Sequence, residues 1–297
     1  MMIGVGRYIR MWSCYVGLVC DVWSCSKVSY IYLSVLALFV FMYFSTLRWL
    51  FDSWLYNPYY SHGFLVPLIS FYFVWKGRRE LAGLKGEPSS FALPVLIISL
   101  VFYFGGILLT ARFLGGVSLL FFLVGVSLFF GEKFARRLLF PLGFLVFMVP
   151  FPFTDLVVPV MQGFTTVAST WFSGFLGVPA SYEGFLIYLP GSTFEVGLPC
   201  SGIRSTISLL MVAVLFAYLL EGGLAMKAVV VASALPLAMA GNVARVTLLL
   251  YLAHSYGEEV ALRYFHDFSS LVLFSVSLTG LFLVGRCFGR LRFRRIS

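Results

Sequence analysis

The amino-acid sequence predicts an all-α polytopic membrane protein, a bundle of about eight transmembrane helices, and three observations predict it. Of the 297 residues, 61% are hydrophobic and only 11% are charged, whereas about a quarter of a soluble domain is charged. The apolar stretches recur along the whole length, which excludes a secretory signal on a soluble body. The basic residues fall in short clusters between apolar runs, so the formal charge of +9 reads as membrane topology and not as the basic face of a nucleic-acid binder.

A bilayer core about 30 Å thick requires roughly 20 apolar residues per helix. Eight segments qualify: Val28 to Leu47, Gly63 to Trp75, Phe91 to Thr110, Leu114 to Gly131, Leu138 to Pro152, Ile203 to Leu220, Ala228 to Leu252 and Phe268 to Val284. Cytoplasmic loops retain Lys and Arg. Placing both termini inside puts Arg7, Arg10 and Lys27 of a cytoplasmic segment 1–27, the Lys76 to Lys85 cluster, Lys133, Arg136, Arg137, Lys227 and the basic tail 285–297 in the cytoplasm. Arg48, Arg112, Arg204 and Arg263 stay outside, and Arg245 lies within a span.

Segment 153–200 is expected on the extracytoplasmic side. Asp155 to Val178 is apolar enough for a helix, but a crossing there would reverse the sides of all later loops. It is therefore expected to lie in the outer interface, or to dip in and return. Phe185 to Leu189 and Thr193 to Val196 are β-like runs around the turn signal Pro190-Gly191-Ser192, which predicts a small β-hairpin leading to Cys200. No linker or repeat divides residues 1–297, so a single domain is expected. The cysteines at 14, 20, 25, 200 and 287 have no CxxC spacing; neither a disulfide framework, a metal nor a cofactor is expected.

Cys200 stands in Leu198-Pro199-Cys200-Ser201-Gly202-Ile203-Arg204-Ser205. Pro199 cannot continue a strand ladder, Ser201 can cap a helix, and the apolar run starts at Ile203, so Cys200 opens the sixth span. The helix N-terminus there favours a thiolate, and Arg204 one turn along would help. The plain alternative is a small buried apolar residue, as most free cysteines are. Arg245, in Asn242-Val243-Ala244-Arg245, costs at least about 2.5–3.5 kcal/mol at depth. It either snorkels to headgroups or shares a polar pocket with Asn242, three residues earlier on the same helical face. His266, in Tyr264-Phe265-His266-Asp267-Phe268-Ser269, can serve as general base or acid; His62 and His254 compete for that role. Three consecutive antiparallel helices can bring Cys200, Arg245 and His266 to one level, as nucleophile, oxyanion stabiliser and base of an acyl-transfer site.

These residues resemble a family. Pro199-Cys200-Ser201-Gly202-Ile203-Arg204-Ser205, Asn242-x-x-Arg245 and His266-Asp267-Phe268-Ser269 are similar, in order, to the three motif regions of exosortases and archaeosortases, and Tyr60-Ser61-His62-Gly63-Phe64-Leu65-Val66-Pro67 looks like their N-terminal signature. The resemblance implies a multi-pass cysteine protease or transpeptidase of a prokaryotic cytoplasmic membrane. Its substrates would be exported proteins with a C-terminal tail of short motif, transmembrane helix and basic cluster, passed after cleavage to a membrane lipid, another acceptor or water. It carries catalytic roles to Cys200, Arg245 and His266; Ser201, Arg204, Asn242 and His62 are the supporting candidates. A rival reading is a transporter or flippase in which Asn242 and Arg245 bind an anion, and a second is a non-catalytic membrane scaffold.

Overall fold

In the computed structural model, residues 37–84, 86–152, 154–197, 200–261 and 266–288 are described. Cys14, Cys20, Cys25, residues 28–36 of the first expected span, Lys85, Pro199, Arg263 and the tail beyond residue 288 lie outside them. The chain divides into two compact units, residues 1–48 and 49–297. Helix α1 covers residues 37–56, and every candidate site residue belongs to the second unit.

The elements of that unit are a 3-10 turn Ser61–Phe64, α2 (Leu65–Lys76), α3 (Arg78–Gly83), α4 (Ala92–Leu108), α5 (Arg112–Phe129), α6 (Glu132–Phe144) ending in a 3-10 turn Leu145–Met148, α7 (Thr154–Phe175), strands β1 (Ser181–Glu183), β2 (Leu186–Leu189) and β3 (Ser192–Glu195), α8 (Ile203–Leu219), α9 (Leu224–Tyr256), α10 (Glu258–Val260) and α11 (His266–Phe288). The fold is mostly helical with one small sheet, as the sequence predicts. Among the described residues two helices, α5 and α9, are long and apolar enough to cross a membrane; α4, residues 139–148, α8 and residues 271–287 form shorter apolar helices. The expectation of eight full spans is thus met only in part. In the second expected span the helix is 12 residues long, and in the fifth the helix tightens to 3-10 geometry ahead of Pro150 and Pro152, which cannot donate to a continuing helix.

The helices pack through small residues. Between α4 and α5, Ser99 and Ser118 each donate a side-chain hydrogen bond to the other's carbonyl, at 2.9 and 2.8 Å, which satisfies both hydroxyls inside an apolar interface. Leu209, Ala213 and Ala217 of α8, with Leu220 just past its end, pack with Val230, Ala234 and Ala238 of α9 and Leu281 of α11. Helices α8 and α11 both run antiparallel to α9: Ile203 lies with Met239, while Ser277 donates to the carbonyl of Leu237 at 3.2 Å.

Helix α7 covers the segment expected to be interfacial or to dip in and return. It is one continuous helix of 22 residues that runs parallel to α9. Val158 and Met161 pack near Met239, Thr165 meets Asn242, and Ser169 donates to the carbonyl of Val243. Beyond the helix, Val178 packs with Val246, Leu250 and Ala253. Its polar residues Gln162, Thr165, Thr166, Ser169 and Ser173 are buried, while Leu156, Val160 and Phe175 are 80%, 71% and 69% exposed. An interfacial helix turns its apolar face inward to the protein or lipid and its polar face to water; α7 turns its polar face onto α9.

The expected hairpin is present as β2 and β3, paired Leu186↔Glu195 to Leu189↔Ser192. Pro190 and Gly191, with Gly191 at φ +89°, make a turn that requires a residue tolerant of the left-handed region. Strand β1 joins it, paired Ser181↔Tyr188 to Glu183↔Leu186; its exposed residues carry no apolar alternation that would reveal a strand. Ile187, Leu189, Phe194 and Val196 turn inward onto Val246, Leu249, Leu250 and Ala253 of α9, and Cys200 packs at the edge of this core.

Candidate active site

The peptide from the sheet to α8 is held from both sides. Gln162 of α7 donates to the Val196 carbonyl at 2.8 Å, and the Cys200 amide donates to the Gly197 carbonyl at 2.9 Å. Cys200 therefore sits in a tight turn three residues before α8. Gly202, at φ +83°, is the cap residue of α8, and a Cβ there would lie 2.8 Å from the Asn242 side chain. Both the backbone sign and the space require glycine. Ser201 is buried, and its hydroxyl accepts from the Ile203 amide at 3.4 Å; the cap position falls on Gly202 and not on the serine that the sequence offered.

Asn242 ties this turn to the neighbouring helices. Its amide nitrogen donates to the Cys200 carbonyl at 2.8 Å and to the Thr165 hydroxyl at 3.1 Å. Both amide hydrogens are thus directed to protein acceptors, and Asn242 holds the Cys200 carbonyl in place. One turn along α9, the half-buried Arg245 donates from Nε to the Ser269 hydroxyl of α11 at 3.3 Å. Ser269 is buried, so a fixed partner orients the guanidinium plane.

Burial pushes the Cys200 thiol pKa above its usual value, and the nearby Arg245 charge offsets part of that rise. Removal from water penalises the thiolate and works against the helix N-terminus that favours it. The exposed Arg204 turns to the Ser61 hydroxyl, donating at 3.3 Å. A thiol whose ionisation burial disfavours needs a base before it can act as a nucleophile.

His266 opens α11, three residues before Ser269 and on the same helical face by register. Its backbone thus places it one turn from the residue that holds Arg245; its side chain lies outside the described residues. Asn242 and Arg245 thus link the turn at Cys200 to Ser269 of α11, one turn along from the His266 backbone.

His62 and Arg204 occupy an adjoining site. The Tyr60–Gly63 stretch pins the α6–α7 junction to the start of α8: the Phe151 amide donates to the Tyr60 hydroxyl at 3.1 Å, the Trp54 indole donates to the Met148 carbonyl at 2.8 Å, and Ser61 receives Arg204. A Cβ on Gly63 would overlap the Trp54 ring. His62 is 8% exposed, with no hydrogen-bond partner of good geometry for either ring nitrogen among the described residues. Burial first, and then the Arg204 charge, lower its pKa, with the Phe147 backbone offsetting part of the shift.

Residues 54–283, most of the chain, match the family described as transmembrane exosortase. The chain belongs to the transmembrane exosortase family. The match begins at Trp54 and so contains the Tyr60–Gly63 clamp, Cys200, Asn242, Arg245 and α11 as far as residue 283, and it makes this exosortase a membrane protein. No curated protein matches the chain, and no solved structure does. Sequence reasoning missed Gln162, Thr165 and Ser269. The first two were legible as a polar stripe, Gln162, Thr165, Thr166, Ser169 and Ser173, at helical spacing; Ser269 stands inside a motif that the sequence offered for its histidine.

Proposed function

We propose that this exosortase is a membrane-embedded cysteine protease or transpeptidase that cleaves exported proteins near a C-terminal sorting tail of short motif, transmembrane helix and basic cluster. The observation that carries the reading is the joint anchoring of Cys200 and Arg245: Asn242 holds the Cys200 carbonyl, and Arg245, one turn on, acts on the thiol. His266 takes the thiol proton. The thiolate attacks the scissile carbonyl, and the charge that develops on its oxygen is met by Arg245. His266 returns the proton to the departing amine, leaving a thioester on Cys200. An amine, a lipid hydroxyl or water then attacks the thioester, losing its proton to His266 and restoring the thiol.

Membership of the family points to a prokaryotic cytoplasmic membrane, and the distribution of Lys and Arg supports an arrangement with both termini inside and the Cys200 end of the bundle on the extracytoplasmic side. On that arrangement Arg204, Ser61 and His62 line the approach to Cys200 and hold the recognised motif. The test is co-expression of a tailed substrate with Cys200→Ala. Processing should stop while the variant accumulates in the membrane at wild-type level; processing at the normal rate refutes the assignment.

A further inference from the structure

Away from Cys200, a groove of about 790 Å³ runs between α4, α5 and α6. Its wall is apolar, with Phe121 and Val124 on one side and Leu139 and Leu142 on the other. One end reaches Val146 and Phe151, and the other closes on Ser89, Glu132 and Arg136. From Glu132 to Val146 the helix rises about 21 Å. A membrane-spanning helix about 10 Å across and 30 Å long fills on the order of 2,400 Å³, three times the groove. The space suits a narrow flexible chain, within the range of about 300–1,000 Å³ of small-ligand sites.

The charged end selects what that chain is attached to. Arg137 is paired with Glu80, whereas Arg136 lies 3.9 Å from Glu132, with their side chains 82% and 53% exposed. The Ser89 hydroxyl donates to Glu132 at 3.2 Å. A loose, exposed pair of this kind contributes little to the fold and offers a cation and a carboxylate side by side. We propose that the groove binds the acyl chains of a zwitterionic phospholipid with a primary-amine headgroup, its phosphate on Arg136 and its ammonium on Glu132. An anionic headgroup would meet the Glu132 charge without the ammonium to offset it.

The experiment is photo-crosslinking in vesicles of equal phosphatidylethanolamine and phosphatidylglycerol, with a diazirine on the acyl chain of one lipid at a time, followed by peptide mapping of the full-length protein. Adducts should concentrate on the α6 peptide containing Leu139 and Leu142. The amine lipid should be favoured about threefold, the size of an exposed ion pair. Glu132→Gln should abolish the preference, Arg136→Gln should reduce labelling by both lipids, and Leu142→Trp, which fills the groove, should remove most adducts. Labelling of α6 no stronger than that of the outer face of α4, or equal labelling by the two headgroups in the wild type, overturns the proposal. The two exposed substitutions keep the test decisive even if Leu142→Trp fails to fold.

Discussion

The two halves of α9 show how one helix does two different jobs. Its 33 residues extend about 50 Å, well beyond a hydrocarbon core of about 30 Å. The half from Leu224 to Ala240 meets α8 and α11 chiefly through Val230, Ala234 and Ala238, small or branched apolar side chains, with the Ser277 hydroxyl donating to the Leu237 carbonyl beside them. The half from Gly241 to Tyr256 carries Asn242, Arg245 and the buried Thr247, and faces the polar stripe of α7, the turn at Cys200 and Ser269 of α11. Apolar packing of the first kind holds helices together but is tolerant of register. Directional bonds of the second kind fix which atoms meet, because an unmade bond in a buried site costs about 1–3 kcal/mol. The candidate site therefore lies in the half where geometry is specified, and the other half anchors it.

The largest effect that this division predicts belongs to Arg245→Lys, which keeps the charge but loses the planar fork. Substrate processing should fall by about 10²–10³-fold, the usual loss of an oxyanion donor; near-normal turnover in a cell-based processing assay would mean that charge alone suffices. Next in size is a pair of variants, one from each half. Asn242→Leu removes both donors at similar volume and should lower processing by about 10- to 100-fold, the factor equivalent to about 1.4–3 kcal/mol, with little change in melting temperature. Leu281→Ala, in the apolar cluster, should lower the melting temperature in detergent by opening a cavity while leaving processing within a few fold. If both variants moved the same observable, the division between the halves would fail.

Two smaller effects act through pH. Burial raises the Cys200 pKa above the usual 9.0, so alkylation by iodoacetamide should be slow at neutral pH and should climb as pH passes above that value. Arg245→Gln removes the opposing charge, raises the thiol pKa further, and should slow alkylation several-fold at any fixed pH below it; unchanged rates would separate the guanidinium from the thiol. His62 has the opposite sign. Its folded pKa is lowered from 6.5, so the unfolded chain binds its proton first, and the stability contributed by neutral His62 is present above pH 6.5 and lost as pH falls below it. His62→Gln should flatten the dependence of the detergent melting temperature as pH falls below 6.5.

Much of this was legible in the residues. Membrane residence followed from hydropathy, because no soluble fold buries so large an apolar fraction. The hairpin β2–β3 followed from Pro190-Gly191, whose backbone preferences force a turn, and the start of α8 from the Cys200-Ser201-Gly202 run ahead of an apolar segment. The family followed from four short motifs in order. The short helices at Leu65–Lys76 and Glu132–Phe144 were not legible as such, since composition gives the length of an apolar run but not where its backbone leaves helical geometry.

Residue order was enough to establish the solvent of the protein, the position of the turn at Cys200 and the set of polar residues that had to be explained, since each of these depends on local composition and backbone preference. Packing was needed to establish that α7 runs parallel to α9 with its polar stripe inward, that Asn242 is spent on the Cys200 carbonyl, and that Arg245 meets Ser269 while Arg204 turns to Ser61. Those outcomes depend on distances between helices far apart in the chain, and burial and charge take effect through such distances.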